Sequence, residues 1–481
     1  MPQFSARLAV PVSAANLFQW HARPGAFQRL TPPWQPVELE HYEGIQTGSR
    51  AVIRLGTGAA SIRWIAEHRA TSDACVGGDG TCEFRDIQIE GPFASWAHSH
   101  RMIPDGSDRS ILEDSVTYHL PLAPISELVG GWAAERQIER LFAYRHRVTR
   151  EDLTRHASSN LEPMTVAITG ASGVIGSALA AFLLTGGHRV VRLVRSRGEA
   201  VALNRSAQER AVYWNVAAGE IDMGALRLAA PDAVVHLAGE PVYGIAYTEA
   251  KKRAIWESRT KGTQLLSRAL AALDSPPRVF LSASASGIYG DTGSTPVNES
   301  DPPGSGFLAE VCKAWEASTA EAEAAGVRVI HPRIGLVLTP AGGLLQKLLL
   351  PARVGLAAWP GDGSAFWGWI ALDDAIYALH HLLASDLSGP VNISAPTPAP
   401  ARTVVKAIGR TLNRPAVLGA PASILRRLGG EAADEIMLKS VRMVPKRLRE
   451  SGFEYAYPTL DGALGHLLGH ASAPSPLPAL V

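Results

Sequence analysis

Two kinds of periodicity divide the chain. In the first 120 residues apolar and polar positions alternate, and 4–10, 52–55, 62–68, 81–88, 96–103 and 110–119 read as antiparallel strands, the first an edge strand. A short helix is expected at 14–21. A long amphipathic helix follows from about 125 to 156, with Leu128, Trp132, Ile138, Leu141, Phe142 and Leu153 on its apolar side. Beyond 164 the strand-like runs are more uniformly apolar: 166–169, 189–194, 233–237, 278–282, 327–331 and 390–394. Helical patterns such as 249–273 and 309–325 separate them. This β–α alternation predicts a doubly wound parallel sheet, an α/β fold, preceded by an α+β domain in which a curved sheet grips a helix. The expected divisions are 1–156 for the first domain, 157–163 for a linker, 164–400 for the parallel sheet, 401–470 for a C-terminal subdomain and 471–481 for a disordered tail.

The turn after the first parallel strand carries chemistry. In TGASGVIGSALAAFLL, Gly170, Gly173 and Gly176 fall between a strand and a helix, and a second strand follows. In a βαβ unit the first glycine permits a tight turn, the second lets the backbone approach a pyrophosphate, and the third lets helix and strand pack closely. Gly170, Ala171, Ser172, Gly173, Val174, Ile175 and Gly176 are therefore expected to hold a dinucleotide. The end of the second strand chooses its form, since an acid there suits NAD and an arginine suits the 2′-phosphate of NADP. Here stand Arg192, Arg195 and Arg197, with no acid until Glu199. NADP(H) is the expected cofactor, its phosphate on Arg195 with Ser196 and Arg197 helping. The other strand ends bring Leu237, Ala238, Gly239, Glu240, Ser282, Ala283, Pro332 and Arg333 to the same edge.

Composition narrows the class. The 46 basic and 45 acidic residues nearly cancel, giving no electrostatic case for nucleic acid or an anionic membrane. No run is long enough to span a membrane, and the N-terminus lacks a signal pattern. Cys75, Cys82 and Cys312 are too few and scattered for a disulfide framework or a four-ligand zinc site. A cytoplasmic protein is expected.

TGASGVIG, HLAG, SASASGIYG, GFLAEVCKAWE, PRIGLVL, WIALDDA and GPVNISAP in series resemble an extended short-chain dehydrogenase/reductase, and more narrowly its atypical epimerase-like branch. The resemblance covers about 164–465. It implies an oxidoreductase or epimerase-like enzyme with an Asn-Ser-Tyr-Lys tetrad, in which lysine lowers the tyrosine pKa from its usual ~10. Laid on that pattern, Arg259 takes the Asn position, Ser284 the Ser position, Leu308 the Tyr position and Cys312 the Lys position. Leucine has no proton and cysteine no positive charge, so the ordinary mechanism is not supported. Ser284 remains, and Tyr289 and Arg259 are the substitutes, with Glu240 a further base. Asp373 and Asp374 are expected to order the helix that follows them.

PPW at 32–34, RDIQIEGPFASWAHSHR, DSVTYHLPL and LFAYRH resemble the START-like, polyketide-cyclase-related domain, which encloses an apolar pocket between sheet and helix. Trp34, Trp64, Trp96 and Trp132 suit such a pocket. His98 and His100 share a strand face, but with no third ligand at suitable spacing no metal site is expected. The expected partners are a small-molecule substrate, an apolar ligand in the first domain and a second copy of the chain. Two alternatives to catalysis stand: an NADP(H) sensor that does not turn over, or a small-molecule carrier.

Overall fold

The alternating segments pair into one antiparallel sheet. The computed structural model describes residues 2–69, 80–121, 125–204, 210–243 and 247–471, and the chain forms two units that divide near Asn160. In the first unit the strands are β1 (Gln3–Val10), β2 (Val37–Tyr42), β3 (Arg50–Leu55), β4 (Ile62–Arg69), β5 (Cys82–Glu90), β6 (Ser95–Pro104) and β7 (Ser110–His119). Their order is β1-β7-β6-β5-β4-β3-β2, so β1 is at an edge as expected. β2 is an addition: VELEHY is largely charged and carries no apolar alternation, yet it pairs with β3 along the opposite edge.

Among the described residues three α-helices complete this unit: α1 (Ala14–Ala22), α2 (Ala26–Leu30) and α3 (Ile125–Ser158). Ser13 caps α1 by accepting the Asn16 N–H. Ile138 and Phe142 of α3 are buried against Trp96, Val116 and Tyr118 of the sheet. A buried bidentate pair, Arg29 Nε and Nη2 to Asp152 at 2.8 and 2.7 Å, ties α2 to α3. Trp132 departs from expectation. It is 67% exposed.

In the second unit the apolar runs form strands buried on both faces. In chain order they and their principal helices are β8 (Thr165–Thr169), α4 (Val174–Thr185), β9 (Arg189–Val194), α5 (Arg197–Leu203), β10 (Arg210–Asn215), β11 (Ala233–His236), α6 (Glu249–Ala271), β12 (Val279–Ser282), α7 (Phe307–Ala317), β13 (Arg328–Ile334) and β14 (Gly389–Ile393). These seven strands run parallel in the order β10-β9-β8-β11-β12-β13-β14. β10 was not anticipated, because RAVYWN is short and polar at both ends. The order reverses between β8 and β11, and such a switch point opens a crevice at the carboxyl ends of the strands. Ala167, Val191, Val212, Val234 and Phe280 fill one core face against Leu266 and Leu270 of α6. The helix expected over 309–325 is broken at Ser318–Thr319.

Asp374 lies in the first turn of the helix Leu372–Ala384, as expected. Its carboxylate also accepts the Ala456 and Tyr457 N–H groups at 2.8 and 3.0 Å. Cys82 is disulfide-bonded, which the cysteine count did not suggest; Cys75 lies outside the described residues, and Cys312 is a free buried thiol. The tail expected to be disordered lies, from 472 on, outside the described residues. No helix among the described residues is long and apolar enough to cross a membrane.

Candidate functional site

The glycine turn sits at the switch point. Gly170 has φ +69°, and a Cβ there would meet the Ala238 N and Leu237 C backbone atoms at 2.9 Å. Only glycine satisfies both conditions. A Cβ on Gly176 would run into the Gly170 and Ala171 backbone, so the third glycine sets how closely α4 approaches the turn. Ser172, Gly173 and Val174 are exposed along the rim and Ala171 is buried beneath it.

A hydrogen-bond chain missed by the sequence reading locks the two strand ends together. Thr169 Oγ1 accepts the Leu237 and Ala238 N–H groups at 3.1 Å each. Its own proton must then go to His236 Nδ1, 2.6 Å away, which leaves the His236 Nε2–H to donate to Thr263 Oγ1 at 3.0 Å. Burial pushes His236 down to about 3, so it holds this neutral form. A histidine inside an apolar strand gave only a faint signal of this role.

At the end of β9, Arg195, Ser196 and Arg197 are all exposed. Ser196 is spent on capping α5, and Arg197 stacks over Tyr213 at 4.0 Å and pairs with Glu220 at 3.1 Å. Arg195 has no partner among the described residues. Among the described residues it is the free cation at this edge.

Beyond β12 and β13 lies a cavity of about 230 Å3. The predicted tetrad positions do converge on it: Arg259, Leu308 and Cys312 form part of its wall. Ser284 does not reach it. That residue is buried, with its side chain beside the Cys312 thiol, and the wall is made instead by Ala285, Ser286 and Gly287. Burial pushes the Cys312 thiol up to about 11, so it is neutral and cannot replace a lysine.

Arg259 donates to the Glu240 carbonyl at 2.9 Å and stacks on Trp315 at 4.9 Å. Its hydrogen bonds go to the Glu240 and Ile255 carbonyls rather than to carboxylates, so its charge is available to the cavity. Glu240 is held by Lys251 at 2.6 Å and Ser258 holds its N–H, which removes it as a free base. Tyr243, which the sequence reading passed over, also lines the cavity, and burial raises its pKa above the ordinary phenol value.

Two expected site residues are occupied elsewhere. The Tyr289 hydroxyl donates to Asn392 Oδ1 at 2.7 Å and accepts from Arg333 Nη1 at 3.0 Å. Arg333 also makes a bidentate pair with Glu316, at 2.9 and 3.0 Å. Tyr289 and Arg333 thus form a buried strut rather than part of the cavity wall. Of the neighbouring predictions, Pro332 and Ala283 are buried in the sheet edge, and Ser282 is buried with an unpartnered Oγ. Gly239 lies against the Arg259 guanidinium.

In the first unit a cavity of about 180 Å3 lies under α3. Trp64 and Trp96 line it. Trp34 is packed against Tyr144 and Trp132 is exposed, so neither belongs to it.

The model of the NAD dependent epimerase/dehydratase family matches residues 166–394, and a domain of unknown function, DUF1731, matches 420–467. An epimerase family protein of Mycobacterium tuberculosis is 39% identical over 302 residues, covering 63% of this chain and 96% of that protein. The chain belongs to the NAD-dependent epimerase/dehydratase family. Within this family it is of the SDR39U1 type: the chloroplastic SDR39U1 homolog of Arabidopsis thaliana is 31% identical and 90% covered. Among solved structures, a nucleoside-diphosphate sugar epimerase from Corynebacterium glutamicum matches at TM-score 0.76 and 30% identity, over 98% of this chain and 91% of that one. Human SDR39U1 with NADPH matches at TM-score 0.56 and 26% identity, over 63% of this chain and 99% of that one. These relatives lend no support to the sensor alternative.

Proposed function

We propose that the second unit binds NADP(H) and acts as an oxidoreductase or epimerase-like enzyme on a small carbonyl compound or nucleotide sugar. The observation that carries this reading is the pairing of a turn open only to glycine with the unpartnered Arg195 one strand away. The turn from Gly170 to Gly176 would hold the pyrophosphate on backbone N–H groups at the start of α4, and Arg195 would hold the 2′-phosphate. When bound, NADP(H) supplies hydride transfer. The NADPH in the human SDR39U1 structure supports the same choice.

The chain's own residues then divide the work. The Arg259 guanidinium draws an anionic or carbonyl oxygen toward the wall, and the Ser286 hydroxyl donates to it. Tyr243, kept protonated by its burial, is the phenol placed to give up a proton where Leu308 has none. The experiment is NADPH consumption and sugar-nucleotide epimerisation over a broad substrate panel. Ser286→Ala and Tyr243→Phe should each lower kcat by roughly 10²–10³-fold, while NADPH affinity changes little. Full turnover in both variants would move the chemistry away from this wall.

For the first unit we infer a START-like small-ligand domain. Its support is a long helix over an antiparallel sheet with an aromatic-lined cavity between them. A space of about 180 Å3 falls below the ~300–1,000 Å3 of drug-sized sites, so the occupant is small.

A further inference from the structure

The floor of the first unit's cavity holds more charge chemistry than an apolar pocket needs. Asp86 on β5 stands in register with His98 on β6, and His100 follows two residues on, so strand alternation turns both histidines to the same face. Asp86 Oδ2 lies 3.4 Å from His98 Nδ1 and 3.9 Å from His100 Nε2. One ligand atom from each of the three residues lies within 4.8 Å of the other two. The third ligand absent from the spacing along β6 comes from the neighbouring strand.

The other ring nitrogens face a second carboxylate. Asp114 Oδ1, on β7, is 3.2 Å from His98 Nε2 and 2.7 Å from His100 Nδ1, and Asp114 Oδ2 is 2.6 Å from His146 Nε2 on α3. Each histidine therefore turns one nitrogen to a point shared with Asp86 and the other to a buried carboxylate. Metal-binding histidines are oriented in this way, since the outer carboxylate fixes the tautomer and raises ligand basicity. Ligand atoms around a tetrahedral ion with bonds of ~2.0–2.1 Å stand ~3.3 Å apart, against 3.4 and 3.9 Å from Asp86 to the two histidines here. His21, His68 and Arg145 also face the cavity.

We propose that Asp86, His98 and His100 bind a divalent transition-metal ion, with Asp114 as the carboxylate behind both histidines and the remaining coordination positions open to the cavity. Two imidazoles and a carboxylate suit ions of the zinc and ferrous class. The proposal does not depend on the activity of the second unit.

The test is titration of the full chain, stripped with a chelator and dialysed, with Co2+ as a spectroscopic probe. One equivalent should develop visible absorption. Asp86→Asn and His98→Gln should each abolish that equivalent or weaken it at least ~10-fold, and Asp114→Asn should weaken it ~10- to 100-fold. His68→Gln, on the cavity wall but outside the ligand set, should stay within about twofold. Thermal unfolding checks each variant. If His98→Gln does not fold, Asp86→Asn carries the test, because it keeps the side chain's shape at the cavity edge. Absence of the absorption, or a titration curve unchanged in Asp86→Asn, overturns the site.

Discussion

Gly176→Ala is expected to weaken NADPH binding by roughly 100- to 10,000-fold. The added Cβ meets backbone atoms of Gly170 and Ala171, which unlike a flexible side chain cannot swing away. Either α4 retreats or the turn opens, and both misplace the N–H groups that point at the pyrophosphate. A hydrogen bond to a charged group contributes ~1.5–3 kcal/mol, so losing two gives the stated range. The cost to the fold should be smaller, about 1–3 kcal/mol for an overpacked contact. Calorimetric titration together with thermal unfolding separates the two effects. Near-normal affinity in a folded variant would mean that the turn does not hold the nucleotide.

The second large effect concerns stability. Arg333 and Glu316 are a bidentate pair with side chains only 6% and 15% exposed, and Arg333 also supports the Tyr289–Asn392 contact. Removing one partner, as in Glu316→Leu, leaves a buried cation and should cost about 3–5 kcal/mol. For a unit of this size that lowers Tm by roughly 10 °C. The double variant Glu316→Leu/Arg333→Met should recover part of the loss, because no unpaired charge remains. A single variant as stable as the parent would show that the strut contributes little.

Much of the fold was legible because its signals are local. Continuous apolar runs gave six of the parallel strands, and alternation gave six of the antiparallel ones. The two missed strands, Val37–Tyr42 and Arg210–Asn215, are edge or near-edge segments whose pairing partners, not their own periodicity, decide their state. The glycine turn was readable because a tight strand–turn–helix junction admits only glycine at fixed spacing. The tetrad positions were readable only in part. Matching residues to a pattern brought Arg259, Leu308 and Cys312 to one wall, but it could not tell that Ser284 turns inward and Ser286 outward. Tyr289 and Arg333 looked available because their partners, Asn392 and Glu316, are 103 and 17 residues away from them, respectively. Asp86 escaped notice beside His98 for the same reason: cross-strand register is a property of the sheet, and no spacing along one strand reports it.

The proposed function stands or falls on the selection of NADP(H) by Arg195. The most direct measurement is a pair of titrations, NADPH and NADH, against the parent chain and Arg195→Ala. The parent should bind NADPH ~10- to 100-fold more tightly, the range expected of a charged phosphate contact of ~1.5–3 kcal/mol, and Arg195→Ala should erase most of that difference while leaving NADH affinity unchanged. Equal affinities in the parent, or an NADH preference that Arg195→Ala does not alter, would contradict it.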